Sequence, residues 1–589
     1  MKKLIVRERQ RSKSVYEAAR SGGLSHLQAD ILCRRDVSSL ADLTPFFDPK
    51  LREIPAPHLL KNCNKAVGRI VRAIKKGENI GLVTDYDVDG LTAHAVAKKA
   101  LNGFLGRNNG QINSFVGDRL QDGYGLTDQL CSRILANTPA IDLVITADCG
   151  VSDEKRIAVL KEAGIDVIIT DHHLVPEDEF PCSAYTLVDP QQEKCLYPDK
   201  AISGCMVCWL VMSAVRTSLV EDGSLPTQTP TLISLLDYVA LSTIADSVSL
   251  LSATNRAVVR YGLKEINTFA RHCWRSMQFG GAPVGKLTEE DLAYQVSPRI
   301  NGAGRMADPQ LALDFLLAEG GDLAKQYFEK LTKVNDLRKK SEAKSRDIAN
   351  GLLEETDTSK GIVAYHTDFH PGILGILASR LAEKHGVPAV VFGNTPHGEV
   401  LAGSCRTGGG VHILNILAQT ADMEQRANQE NIISFGGHKG AAGIKIFKQG
   451  LDLFRENFLK AIDREEIDNE GLAFLDTDGA LALENINLAT VDEINKLAPF
   501  GQHFEHPVFS NEFSVDSAKF VGKDKDHLQL ILCMGTSKFR AIWFRARTKS
   551  KQTAESIVPG CHMHCVYQLA GNEFRGKRQL QLCISDVSG

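Results

Sequence analysis

Short apolar runs rich in β-branched residues each end on an aspartate, and that pattern marks where chemistry can happen. Asn79-Ile80-Gly81-Leu82-Val83-Thr84 leads into Asp85-Tyr86-Asp87-Val88-Asp89-Gly90. Leu143-Val144-Ile145-Thr146-Ala147 leads into Asp148, and Val167-Ile168-Ile169-Thr170 into Asp171-His172-His173. Val239-Ala240-Leu241-Ser242-Thr243-Ile244-Ala245 leads into Asp246. If these runs are strands of one open α/β sheet, their carboxyl ends share the crevice where such sheets bind ligands. Carboxylates so crowded stay ionised only when cations neutralise them. The residues therefore imply a metal-dependent enzyme. Asp85, Asp87 and Asp89 alternate with Tyr86 and Val88, so an extended chain puts them on one face, and Gly90 lets the backbone turn into a helix. A calcium EF-hand loop needs a bidentate Glu at its twelfth position, which here is Val96. Imidazole among hard carboxylates favours Mn2+ or Mg2+ over a thiolate zinc site. Two such ions about 4 Å apart can activate a water and stabilise both oxygens of a phosphoryl displacement. His173, beside a ligating His172, is then free to meet the substrate phosphate or its leaving group.

The elements that must carry these residues follow from the patterning. Residues 1–75 read as a helical lead-in. From about 79 to 250, apolar strands alternate with helical stretches such as Leu91 to Leu105 and Asp153 to Ala163, the signature of βαβ units around a parallel sheet. Ser297-Pro298-Arg299-Ile300-Asn301-Gly302-Ala303-Gly304-Arg305 reads as a loop dense in glycine and arginine. Residues 311–355 read as a long connecting helix, broken near Gly320-Gly321 and charged at Arg338-Lys339-Lys340-Ser341-Glu342-Ala343-Lys344, as a solvated spacer would be. A second α/β unit, 356–468, carries glycine-rich points at Gly403-Ser404-Cys405-Arg406-Thr407 and Gly436-Gly437-His438. Arg406 there can offer a planar fork to a phosphate, although a surface ion pair would look alike. Gly436-Gly437-His438 can bind phosphate through backbone amides if it starts a helix; a plain turn reads equally well. In 469–589, runs such as Leu528-Gln529-Leu530-Ile531-Leu532 and Gln579-Leu580-Gln581-Leu582-Cys583-Ile584 suggest a small antiparallel barrel. Lys523, Lys525, Arg545, Arg547, Lys549, Lys551, Arg575, Lys577 and Arg578, with Phe539, Trp543, Phe544 and Phe574, suit a single-strand-binding face, against the plainer reading of a solvated charged surface.

Composition bounds the class without deciding it. The 589 residues carry a net charge of -4 with 43% hydrophobic and 24% charged residues, ordinary globular values. That balance does not announce a nucleic-acid binder, because an acidic metal site offsets basic patches elsewhere. The 14 cysteines are scattered, and the first residues are too charged for a signal peptide, so reduced thiols in the cytoplasm are expected. No apolar stretch is expected to be long enough to span a membrane. Cys205-Met206-Val207-Cys208 lacks a second pair and reads as helical core. Cys561-His562-Met563-His564-Cys565 in a strand puts cysteines and histidines on opposite faces, where one ion could hardly gather them.

These motifs resemble a known family. Asp85-Tyr86-Asp87-Val88-Asp89-Gly90 and Asp171-His172-His173 look like motifs I and III of the DHH phosphoesterases, with Asp148 and Asp246 resembling motifs II and IV. The order of further motifs resembles the single-strand-specific exonuclease branch of that family. They are Phe46-Phe47-Asp48-Pro49, Asp122-Gly123-Tyr124-Gly125-Leu126, Pro298-Arg299-Ile300-Asn301 with Gly304-Arg305, and His370-Pro371-Gly372-Ile373-Leu374-Gly375-Ile376. Gly436-Gly437-His438 with Ala441-Ala442-Gly443 and Asn572-Glu573-Phe574-Arg575-Gly576 complete the set. The resemblance implies an α/β fold: a DHH parallel-sheet domain (76–310) joined by the long helix to a DHHA1 domain, then an OB-fold barrel. It implies 5′→3′ hydrolysis of single-stranded DNA to 5′-mononucleotides, in DNA repair and recombination. Asp87, Asp89, Asp148, His172 and Asp246 would bind two Mn2+ or Mg2+ ions, with Asp85 and His173 catalytic. Arg299, Asn301, Arg305, Ser404, Arg406, Gly437 and His438 would hold substrate. A single-stranded-DNA-binding protein and a helicase are implied partners. Cys405 and Thr407 around Arg406, His503-Phe504-Glu505-His506-Pro507, and Ser242 in place of a usual glycine depart from the family pattern. The competing readings are a phosphodiesterase on short oligonucleotides and a non-catalytic replication scaffold. Residues 470–589 argue against the first, and the intact acidic set against the second.

Overall fold

The computed structural model describes residues 5–588 apart from 38–42, 44–45, 47–48, 106–109, 177–179, 279–284, 355, 396–397, 409, 466–473 and 575–576. The motif residues Phe47, Asp48, Arg575 and Gly576, and the side chains of Glu573 and Phe574, lie outside the described residues. The chain forms two compact units, one holding Ala56–Asp246 and Gly262–Leu472, the other Lys3–Pro55, Ser247–Tyr261 and Ala473–Gly589.

The first unit contains the expected parallel sheet. Its strands run Ile112–Val116, Ile80–Thr84, Leu143–Ala147, Asp166–Thr170 and Thr186–Val188 in spatial order, all parallel. Ile80–Thr84 and Leu143–Ala147 are buried throughout, which is why they read as continuous apolar runs rather than alternating ones. The chain leaves the Ile80 strand to one side and returns on the other, so the topological switch point lies between Ile80–Thr84 and Leu143–Ala147. In doubly wound sheets that is where ligands bind, and the residues just past those two strands are Asp85 and Asp148.

The last acidic run differs from expectation. Val239 to Ala245 belongs to a helix, Leu236–Ala245, and Asp246 is its C-cap. A short, fully apolar run does not distinguish a buried strand from a buried helix; here the neighbours are the helices Val88–Leu105 and Gly204–Glu221, so the run packs as one more helix. Ser297–Met306 is likewise helical rather than a loop. Its Gly304 is there for close approach, since a Cβ would stand 2.5 Å from the Tyr86 carbonyl oxygen. The connecting helix, Gly321–Leu353, forms as expected and is preceded by a separate helix, Gln310–Leu317. Gly204–Glu221 has the length and mean hydropathy (18 residues, 1.3) of a membrane span, which corrects the expectation that no run reaches that length. It packs against Val88–Leu105 and carries buried Cys205 and Cys208 into the core.

The second sheet of this unit runs Ile432–Gly437, Ala441–Phe447, Val400–Arg406, Ala389–Asn394, Ile362–Tyr365. Gly436-Gly437-His438 therefore closes a hairpin and does not start a helix, which removes the helix-terminus reading of that motif.

In the other unit, Phe509–Val521, His527–Met534, Ser537–Trp543, Lys577–Ser588 and His562–Phe574 close a barrel, with one parallel pairing between Ser537–Trp543 and Lys577–Ser588, as in OB-folds. The N-terminal strand Ile5–Glu8 pairs with Phe474–Thr477, and buried Arg35 forms an ion pair with buried Asp478. Residues 3–55 thus fold with the barrel segment, so the lead-in to residue 75 is not one block. Phe539 and Trp543 are buried in the barrel core, while Phe544 is 52% exposed.

Candidate metal centre and its phosphate-facing side

The three acidic strand ends and the helix-capping Asp246 do converge. Ligand atoms of Asp85, Asp87 and Asp148 lie within 4.8 Å of one another, as do those of Asp89, His172 and Asp246, and those of Asp148, His172 and His173. The cluster divides naturally into two adjoining donor sets, one around Asp85 and Asp87 and one around Asp89 and Asp246, with Asp148 and His172 between them.

Among the described residues, two buried atoms at this centre have no hydrogen-bond partner: Asp85 Oδ1 and His172 Nε2. For His172 the cause is orientation. Its Nδ1 lies 3.0 Å from the Ile202 carbonyl oxygen, which can only accept, so Nδ1 carries a proton and Nε2 is the nitrogen that can turn a lone pair to a cation. Although burial opposes it, the charges of Asp89 and Asp246 raise His172, so Nε2, 3.2 Å from Asp148 Oδ1 and 3.6 Å from Asp89 Oδ2, keeps its proton until a cation displaces it. A histidine pinned through one nitrogen and unpartnered at the other is the usual form of a metal ligand. The carboxyl groups point the same way. Burial, together with the charge of Asp87, pushes Asp85 up to about 8. Burial and Asp89 push Asp246 up to about 7, and Asp148 stands well above the usual carboxylate range for the same reasons. Such a group takes up protons unless a cation replaces them. The donor set, hard oxygens with one imidazole, fits Mn2+ or Mg2+.

The backbone around the cluster is held tightly. Asp148 adopts φ +60, a conformation uncommon outside glycine, asparagine and aspartate, and its N–H donates to the Thr170 carbonyl at 3.0 Å. Gly204 must be glycine, because a Cβ there would lie 2.7 Å from Asp148 Cβ. Asn301 accepts from Val88 N–H at 3.1 Å and so caps the helix that carries Asp89. Asp171 lies 2.7 Å from His173 Nδ1 and also accepts from the Val151, His172 and His173 amides. Although burial opposes it, the hydrogen bond and charge of Asp171 raise His173 to about 9. The remaining His173 nitrogen lies 3.4 Å from the Tyr124 hydroxyl, and its ring stacks on His438 at 6.4 Å and 8°.

Facing the carboxylates is a group of arginines. Burial and the charges of Arg119 and Arg338 push Arg305 down to about 10, with Asp87 and Tyr86 acting the other way. Burial and Arg119 also lower Arg406. Arg406 Nη1 donates to Ser404 Oγ at 2.9 Å and to its own neighbour Cys405 O at 2.8 Å; no carboxylate pairs with it among the described residues, so the surface-ion-pair alternative finds no partner there. Arg119 lies 4.3 Å over the Tyr86 ring with its Nε buried and unpartnered. Arg119, Arg305 and Arg406, guanidiniums that repel one another and have no carboxylate ion pair among the described residues, fit an anion; Arg338 is paired with Glu342 at 3.0 Å. Arg119 was missed by motif reasoning, yet it follows the strand Ile112–Val116, whose carboxyl end opens on the same edge; the rule that found Asp85 and Asp148 would have found it too. Arg299 is engaged elsewhere: it contacts the Gln295 carbonyl, donates to Thr332 at 3.2 Å and covers the Phe328 ring. Gly437 ends its strand and His438 stands on the exposed turn beyond.

A parallel sheet with an acidic switch point, an Asp-His-His strand end, a second mixed sheet and a closed barrel define a protein of the DHH–DHHA1 class. Family models agree segment by segment: DHH family, N-terminal domain over 79–243, DHHA1 domain over 358–465 and RecJ OB domain over 477–586. The single-stranded-DNA-specific exonuclease RecJ of Haemophilus influenzae is 32% identical over 92% of this chain and 93% of that protein. The chain belongs to the RecJ family. RecJ from Thermus thermophilus in complex with Mn2+ superposes over 100% of this chain and 79% of that one, with a TM-score of 0.79 at 23% identity. An exonuclease RecJ bound to manganese matches over 69% of this chain and 96% of that one, with a TM-score of 0.57 at 28% identity.

Proposed function

We propose that this chain hydrolyses single-stranded DNA from the 5′ end to 5′-mononucleotides, as a metal-dependent exonuclease of DNA repair and recombination in the cytoplasm. The observation that carries the reading is the pair of bare, buried donor atoms, Asp85 Oδ1 and His172 Nε2, inside adjoining donor sets that face the arginine group. Asp87, Asp89, Asp148, His172 and Asp246 would hold two Mn2+ or Mg2+ ions, consistent with the manganese bound in a relative of 28% identity. Bound there, the ions would supply Lewis-acid stabilisation and a hydroxide-like nucleophile at neutral pH. Asp85, which burial and the charge of Asp87 push up to about 8, stands beside Asp87 as the group to orient or accept a proton from the attacking water. His173, kept protonated by Asp171, offers its outer N–H to the phosphate or the departing oxygen. Arg406, Ser404, Arg305 and Arg119 hold the phosphate, and His438 closes the site beside His173. A single-stranded-DNA-binding protein and a helicase are the partners such a substrate requires, since both govern when a strand is free.

Two variants test the substrate side. Arg406→Ala should lower kcat/KM about 30-fold, equivalent to about 2 kcal/mol for a charge-assisted hydrogen bond, and leave Mn2+ affinity unchanged. Unchanged kcat/KM would return Arg406 to a packing role. In the barrel segment, Lys523, Lys525 and Arg545 are exposed, as is Phe544, whose ring meets His527 edge-on at 5.5 Å. Replacing these three basic residues by alanine should weaken binding of long single strands. It should also flatten the salt dependence by about 0.7 log–log units for each phosphate no longer neutralised, while cleavage of very short oligonucleotides persists. An unaltered salt slope would remove the barrel face from the substrate path.

Metal loading tests the reading as a whole. EDTA-treated protein should be inert on single-stranded DNA and recover with Mn2+; hydrolysis at full rate in excess EDTA would contradict it.

A further inference from the structure

Among the described residues, Asp89 accepts more hydrogen bonds than the other candidate carboxylate ligands Asp87, Asp148 and Asp246. It lies in the first turn of Val88–Leu105 and is 1% exposed. Its Oδ2 accepts from Gly204 N–H at 2.7 Å, and its Oδ1 from Cys205 N–H at 2.8 Å and from the Ser242 hydroxyl at 2.6 Å. A carboxylate offers about four lone-pair directions, so these donors use both on Oδ1 and one on Oδ2. The direction that remains belongs to Oδ2, the oxygen 3.6 Å from the bare Nε2 of His172.

Ser242 Oγ is the donor both to Asp89 Oδ1 and to Ser203 Oγ, each 2.6 Å away, so its one proton is shared between two acceptors. Ser203 Oγ also accepts from Met206 N–H at 3.3 Å, as the N-cap of Gly204–Glu221. Ser203 thus ties the Ser242 hydroxyl, and through it Asp89, to the first turn of that helix. Both serines are fully buried, so water cannot replace them.

We propose that Ser242 and Ser203 are positioning residues that restrict Asp89 to one-oxygen ligation, and that they thereby favour Mg2+ or Mn2+ over Ca2+ at this centre. The inference rests on the metal reading above and deepens it. Mg2+ and Mn2+ take octahedral sets that one-oxygen carboxylates fill, whereas Ca2+ takes about six to eight oxygens and commonly a two-oxygen carboxylate. With Oδ1 saturated, Asp89 has no second oxygen to give. Removing the Ser242 hydroxyl frees a lone pair on Oδ1 and loosens the carboxylate about its side-chain torsion.

Full-length Ser242→Ala and Ser242→Gly proteins test this. Both delete the hydroxyl, but alanine is the best and glycine a poor helix former inside Leu236–Ala245, so they differ in stability and not in what Asp89 loses. Mn2+ affinity is read from the EPR signal of free Mn2+, Ca2+ affinity by competition, and melting temperature in parallel. The expected result is a loss of about tenfold in Mn2+ affinity in both variants, the scale of an outer hydrogen bond to a ligand, with Ca2+ affinity unchanged or higher. Unchanged Mn2+ affinity in either folded variant, equal losses for both ions, or losses that follow melting temperature would overturn it. Failure of the unaltered protein to bind Mn2+ would overturn the metal reading first and this inference with it.

Discussion

Asp148→Ala is expected to lower hydrolysis by about 10³-fold or more, with single-strand binding and melting temperature close to those of the unaltered protein. Asp148 is the carboxylate common to two of the donor sets, so its loss weakens both halves of the centre at once. Metal stabilisation of a phosphoryl displacement amounts to several kcal/mol, and each 1.36 kcal/mol is about tenfold in rate. The fold should tolerate the change, because burial and its acidic neighbours already hold Asp148 well above the usual carboxylate range; deleting it relieves crowding in the metal-free protein. The backbone is the one cost: φ +60 is less comfortable for alanine than for aspartate. Asp148→Asn, which tolerates that conformation, should be as inactive and at least as stable. Multiple-turnover kinetics with Mn2+ titration check both, and full activity in either variant would contradict the metal assignment.

Asp171→Asn should lower kcat by about 10²-fold or more, within the range of a lost proton-transfer group, while Mn2+ affinity changes little. Asp171 raises His173 to about 9 through its hydrogen bond and charge. On the proposed role of His173 as a cation, the rate should fall as pH rises through its pKa. A neutral amide removes the stabilising charge, and the upper limb of the rate profile should move down towards the ordinary histidine value of about 6.5. Bound cations oppose protonation in both proteins, so the comparison is between variant and unaltered enzyme under the same metal. An unmoved upper limb with undiminished kcat would leave Asp171 as a structural anchor of the strand end.

Much of this centre was legible in the chain. Asp85, Asp148 and Asp171 were placed correctly because buried parallel strands advertise themselves as uninterrupted apolar runs, and the residue after each must sit at the crevice. Asp246 reached the same centre for a different reason. Leu236–Ala245 is a helix, and a short apolar run buried on every side carries no period to tell it from a strand. Ser297–Met306 was hidden by its glycines and proline, which punctuate loops in most chains; here Gly304 serves close packing on Tyr86 instead. Gly436-Gly437-His438 closes a hairpin, and the short motif could not say which element followed it. Asn301 and Arg299 were expected on the substrate, but their observed partners are the Val88 amide and the Gln295, Thr332 and Phe328 side of their own helix and its neighbour. Ser242 mattered only once two distant helices were seen to bring it to Asp89, a link that no local pattern encodes.

A metal-loaded DHH centre is expected to remove nucleotides from the 5′ end of single strands. The most direct test of this is one time course: EDTA-treated protein given Mn2+ and the same oligodeoxynucleotide labelled at either its 5′ or its 3′ end, single-stranded or annealed to a blunt complement. The 5′ label should appear at once as a mononucleotide, the 3′-labelled strand should shorten step by step, and the duplex should stay intact. Early release of the 3′ label, equal attack on the duplex, or cleavage confined to dinucleotides would contradict that expectation.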